Sequence, residues 1–181
     1  MQLCSDVEVE PLPGTAKPGA TYVLFEWPGP WPRDVMGDAA LGEELTARLK
    51  PLLAEHDATL LLIRHPTREG RDIADHHLYL VFADQAVTEV MHVDGPEALL
   101  DLDLSGPGNN GARERDRPLL LICTHAKRDR CCAMKGRPLV NELNERHPFG
   151  PGNDIVWETS HIKGHRFAPT MLLMPWAYSF G

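Results

Sequence analysis

Four cysteines and a spaced pair of histidines carry the chemistry that this chain offers. The stretch CTHAKRDRCC brings Cys123, Cys131 and Cys132 close together, and HIKGH sets His161 and His165 four residues apart near the C-terminal end. Thiolates favour soft metals such as zinc, copper(I) or iron–sulfur centres, and imidazole suits zinc, copper or iron. Two cysteines with two histidines therefore admit three readings: structural zinc, an iron–sulfur cluster, or small buried thiols and polar histidines with no metal. His125 lies inside the cysteine stretch as a further donor, and Cys131 rivals Cys132 for any ligand role. A disulfide between the neighbours Cys131 and Cys132 is strained. In a reducing compartment the four cysteines are thiols, ligands or redox centres rather than staples.

Strands must deliver these side chains to one place. TYVLFEW (21–27) reads as a strand that PGPWP breaks, after an irregular lead-in over residues 1–20. A helix begins at about Asp38, with Leu41, Leu45, Leu49, Leu52 and Leu53 recurring at three and four residues. Pro51 should kink it or end it early. TLLLIRH (59–65) is the continuous apolar run of a doubly covered strand. HHLYLVFA (76–83) and VTEVMHV (87–93) flank a short DQ turn as an antiparallel pair, and 94–117 opens with a short helix before a loop-rich, mobile connector.

PLLLICTH (118–125) is a strand ending on Cys123, RPLVNELNERHP (137–148) a helix with Pro138 in its first turn, and DIVWETSH (154–161) a strand ending on His161. TMLLMPW (170–176) is the last strand. The two halves share a strand–helix–strand–strand order without sequence self-similarity. The fold class expected is α/β, a three-layer sandwich with a mixed β-sheet and right-handed crossovers, in a single domain over 1–181. Ligands of such sheets gather at the carboxyl ends of strands, which is where Cys123 and His161 fall.

The composition excludes several classes. A net charge of −8 argues against nucleic acid, although KRDR forms a small basic patch. No run of 18 apolar residues is present, so no membrane span is expected, and the N-terminus lacks a secretory pattern, which makes the cytoplasm the default location.

LLICTHAKRDRCCAMKGRPLVNEL followed by VWETSHIKGHRFAPTMLLMP resembles the sucrase/ferredoxin-like family, thioredoxin-like [2Fe–2S] ferredoxins, and VLFEWPGPWPRD resembles that family's opening segment. The resemblance runs from about residue 20 to the end. It implies a thioredoxin-like fold and a [2Fe–2S] cluster held by Cys123, Cys132, His161 and His165, with Cys132 rather than Cys131 as second thiolate. The histidines would share one iron and the cysteines the other. Lys163 stands where the family usually has Gly, a position that calls for a permissive backbone. FAPTMLLM looks like the segment in which thioredoxin-like folds carry a cis-proline, here Pro169. Members of the family are often longer, so the ending PWAYSFG looks like one from which a C-terminal extension is absent or removed.

Two imidazoles in place of two thiolates make such a cluster less negative. Centres of that ligand set span roughly −150 to +300 mV, against about −400 mV for plant-type clusters. An imidazole that sheds its outer proton couples reduction to proton uptake, with Glu158 and Asp129 as candidate acceptors. Lys127, Arg128 and Arg130 read either as a solvated charge run or as positive potential that favours reduction or docks an acidic redox partner protein.

The leading reading is an electron carrier rather than an enzyme, since no nucleotide loop, nucleophile elbow or acid–base pair is present. Its rivals are a thiol-redox protein using Cys123, Cys131 or Cys132, which lacks the usual C-x-x-C pair, and a zinc-stapled interaction module. His76 and His77 read as surface or turn residues, Trp27 and Trp31 as packing, and Cys4 as a free thiol. The oligomeric state is not legible.

Overall fold

The computed structural model describes residues 4–7, 11, 14–16, 19–67, 74–128, 130–150 and 152–181. Its strands are β1 (Thr21–Glu26), β2 (Ala58–Arg64), β3 (His76–Phe82), β4 (Val87–Val93), β5 (Arg113–Glu114), β6 (Leu119–Cys123), β7 (Val156–Thr159), β8 (Met171–Met174) and β9 (Tyr178–Phe180). Its helices are α1 (Glu43–Glu55) and α2 (Arg130–Arg146). The strands form one mixed sheet in the order β5-β4-β3-β1-β2-β7-β6-β8-β9.

The two halves repeat one plan. β1 and β2 are parallel across α1, and β3 returns antiparallel to β1 and pairs with β4. β6 and β7 are parallel across α2, and β8 returns antiparallel to β6 and pairs with β9. The halves meet where β2 and β7 pair antiparallel through Ile63↔Thr159 and Arg64↔Glu158. The shared element order read from the sequence is therefore a repeated topology.

Alternation along the strands divides the core. Val23, Phe25, Leu60, Leu62, Leu78 and Leu80 face α1, which buries Leu45, Leu49 and Leu53 against them. Ile122 and Val156 meet Val140 of α2. The remaining faces of both halves close on each other around Leu24, Leu61, Tyr79, Leu121 and Trp157. β3 and β7 are separated by two strands, or about 14 Å in a flat sheet. Yet the Tyr79 and Trp157 rings lie 5.9 Å apart, so the sheet curls.

Several sequence expectations are corrected. α1 starts at Glu43, not near Asp38, because Asp34 Oδ1 accepts the backbone N–H groups of Met36 and Gly37 and holds the preceding segment in turns. Pro51 lies inside α1 without ending it, since Leu49 and Leu53 anchor both sides of the lost hydrogen bond to the sheet. α2 begins at Arg130 rather than 137 and carries Pro138 in its interior. The 94–117 segment opens with the expected short helix, a 3-10 turn over Pro96–Asp101, and is loop-rich as expected, but it is packed and not loose. It buries Leu99, Leu102 and Leu104, pairs β5 with β4, and ties Gly108 N–H to Glu89 at 2.6 Å. β9 was not foreseen. His76 and His77 are not surface residues: His76 is buried and His77 half-buried, both held by Glu26.

Arg115 and Asp154 close the core at one end through two hydrogen bonds of 2.7 and 3.0 Å, with Tyr79 Oη donating to the same carboxylate. Burial opposes ionisation of Asp154, but the bonds and charge of Arg115 outweigh it and hold the carboxyl below its ordinary 3.8. A depressed native pKa contributes stability that is present above the unfolded value and lost as pH falls through the folded one. Urea midpoints should therefore hold above about pH 4 and fall as the pH is lowered further, towards the depressed pKa of Asp154. Arg115→Met should cost about 3 kcal/mol at neutral pH and flatten that acid limb. An equally steep limb in the variant would assign it to other carboxylates.

Candidate metal centre

β6 ends at Cys123 and the chain turns directly into the segment leading to α2. The cysteine is locked from both sides: its N–H donates to the Thr170 carbonyl at 3.0 Å, and Thr124 N–H donates to that of Thr159 at 3.3 Å. Because α2 starts early, Cys131 and Cys132 sit in its first turn and not in a loop. Both are buried, as is Cys123, and none of the three is in a disulfide. Gly136, one turn further, lets the helix press onto the strand: a Cβ there would stand 2.2 Å from the Cys123 carbonyl oxygen.

The histidines arrive from β7. Ser160 anchors the exit from that strand, with its N–H to the Leu62 carbonyl at 2.8 Å and its Oγ accepting from Leu62 N–H at 3.0 Å. His161 follows. Lys163 and Gly164 then take consecutive left-handed conformations, at φ 69° and 68°. They turn the chain so that the His161 and His165 rings lie 6.0 Å apart between centres. The permissive backbone expected at Lys163 is thus required there, and a lysine supplies it at some cost. The Ala168–Pro169 bond is cis, and so is Met174–Pro175.

Cys123 and Cys132 Sγ and a ring nitrogen of His161 all lie within 4.8 Å of one another, a group able to hold a metal ion. His165 stands outside this tight trio, and Cys131 is not part of it, although it packs with the other two cysteines and Ala168. A hydrogen bond with Cys132 does most to hold the Cys123 thiol well below its ordinary range. Burial pulls the other way, and His161 with the backbone N–H groups of His125 and Ile162 tips the balance towards thiolate. The Nδ1 atom of His161 is buried without a hydrogen-bond partner. His125 is also buried. Its Nε2–H donates to the Pro32 carbonyl at 2.8 Å, and burial pushes its imidazole towards the neutral form.

Of the candidate outer acceptors, Glu158 is paired with Arg64 at 2.5 Å and Asp129 lies outside the described residues. The Cys4 side chain lies outside them as well. Lys127, Arg128 and Arg130 are exposed, with Arg128 paired to Asp34 at 3.2 Å. Trp31 packs as expected, beneath the Arg64 guanidinium and edge-on to His125. A cavity of about 550 Å³ is lined by His161, Ile162, Lys163, Tyr22, Leu61 and Leu172 among others. Sequence reasoning missed Gly136, since a glycine near a proline reads as loop. The signal was a small residue one helical turn after Cys132.

The sucrase/ferredoxin-like family model matches residues 12–179. The chain belongs to this family. No curated protein and no solved structure matches it. Among the described residues, no helix is long and apolar enough to cross a membrane.

Two substitutions probe how the site is held. Gly136→Ala should force α2 off the Cys123 carbonyl and cost about 2–3 kcal/mol in denaturant unfolding; a neutral result would show that the helix can shift freely. Lys163→Gly should instead raise stability by about 1 kcal/mol by removing the left-handed penalty on a residue with a Cβ. A loss of stability would mean that the lysine side chain offsets its own backbone cost.

Proposed function

We propose that this member of the family is an electron carrier in which Cys123, Cys132, His161 and His165 hold a [2Fe–2S] cluster. The observation that carries the reading is the convergence of two buried sulfurs and the His161 ring at the carboxyl ends of the parallel strands β6 and β7. The donor chemistry fits the group. Cys123 is poised as thiolate, the form that binds metal, and His161 keeps a buried nitrogen without a partner. His165 is tied to His161 by the tight turn through Lys163 and Gly164 and supplies the fourth donor. A β-α-β unit followed by an antiparallel hairpin supports a thioredoxin-like kinship for each half.

When bound, such a cluster takes up and returns one electron. The residues of this chain set the conditions for that exchange. Neutral imidazoles lower the negative charge of the site relative to four thiolates. The cavity beside His161 gives protons a route to its ring. Lys127 and Arg130 present positive charge at the entrance to α2, a docking point for an acidic redox protein in the cytoplasm. One observation favours a second reading: three donors within 4.8 Å also suit a single zinc ion.

Metal and sulfide analysis with visible absorption separates the two. The expected result is two irons and two sulfides per chain in coloured protein, with the spectrum altered in both His161→Ala and His165→Ala. Colourless protein with one zinc per chain would overturn the carrier, and an unchanged spectrum in both variants would leave the histidines out of the cluster.

A further inference from the structure

The N-terminal half has its own strand-end cluster at the place where the C-terminal half has Cys123 and His161. Glu26 stands opposite Ile63 as Cys123 stands opposite Thr159, and Ile63 pairs with Thr159 across the junction. His65 follows β2 as His161 follows β7. Where one half offers sulfur, the other offers a carboxylate and imidazoles.

Two of those imidazoles lie side by side. His77 of β3 and His92 of β4 are directly paired across the strands, with ring centres 4.3 Å apart. Imidazoles bound cis on one ion, at metal–nitrogen distances of about 2.1 Å, have ring centres roughly 4.5 Å apart. Each ring is also fixed by a carboxylate at its inner nitrogen: His77 Nδ1 meets Glu26 Oε2 at 2.7 Å, and His92 Nδ1 meets Asp75 Oδ2 at 2.9 Å. A carboxylate accepts only from N–H, so both rings carry the proton on Nδ1 and leave the Nε2 lone pair for a metal. That is the outer half of a carboxylate–histidine–metal arrangement. The Glu26 carboxylate is itself held in place, since its Oε2 also accepts the His77 backbone N–H at 3.0 Å. Tyr79 and Trp157 wall the His77 ring at 6.0 and 5.4 Å, while His92 is half exposed, so an ion can enter from solvent.

We propose that His77 and His92 form a second metal site, for a divalent ion of the nickel, copper(II) or zinc class, oriented by Glu26 and Asp75. Two nitrogens with water completing the shell suit these ions, whereas the sulfur-rich centre selects softer ones.

Calorimetric titration of tag-free protein with nickel(II) tests this, using protein with its Cys/His centre as isolated. One ion per wild-type chain is expected, with broadening of the His77 and His92 ring proton resonances. Binding should weaken at least tenfold in His92→Ala and in His77→Ala, and about tenfold in Asp75→Asn. Cys132→Ser should bind nickel as the wild type does, which separates this site from the Cys/His centre. His92 is exposed enough for its variant to fold even where His77→Ala does not. Absence of uptake by the wild type, unchanged affinity in His92→Ala, or loss of binding in Cys132→Ser would each overturn the proposal.

Discussion

The antiparallel junction of β2 with β7 is the constraint from which the arrangement follows. Two residue pairs make it, extended by the Ser160 contacts to Leu62. Arg64 and Glu158 reinforce it with an ion pair at 2.5 Å whose side chains are almost wholly buried. Removing one partner of such a pair leaves an uncompensated charge in a dry site, at a cost of about 3–5 kcal/mol. The Arg64 guanidinium also lies 4.0 Å from the Trp31 ring centre, and Trp31 and Pro32 in turn brace His125. The segment after β1 in one half thus supports the cysteine segment of the other.

Much of the fold was legible because its signals are local. The apolar runs at 59–65 and 118–125 and the hairpin at 76–93 became β2, β6, β3 and β4. That Cys123, Cys132 and His161 come together was legible from the motif and the family resemblance. The boundaries of the helices were not. Pro51 and Pro138 are read as punctuation, but a proline inside a helix is tolerated when flanking residues are buried strongly enough. Leu49 and Leu53 do this for α1, and Cys132, Gly136 and Val140 do it for α2. Only tertiary contacts carry that information, and it is what extends the helix expected from residue 137 back to Arg130, through both adjacent cysteines.

The curl of the sheet was equally invisible in the sequence. Alternation reveals two apolar faces for β1 and β3 but not that the second face of one half covers the second face of the other. Trp157, Tyr79 and Phe149 fill that shared space, with Phe149 and Trp157 packed edge to face at 5.0 Å. The same proximity draws His77 towards Trp157, so histidines that open a strand are taken out of water. Glu26 is the compensation: a carboxylate at a strand end, facing inward, with burial resisting its charge and His77 holding it ionised.

The complete burial of Cys123 and Cys132 has a kinetic corollary. A sulfur poised as thiolate reacts quickly with alkylating agents once reached, so access and not reactivity sets its rate of modification. In protein stripped of metal, the time course of labelling at Cys123 therefore reads out how often α2 lifts from β6. The protein carries, at the end of β6, a clock for its local opening.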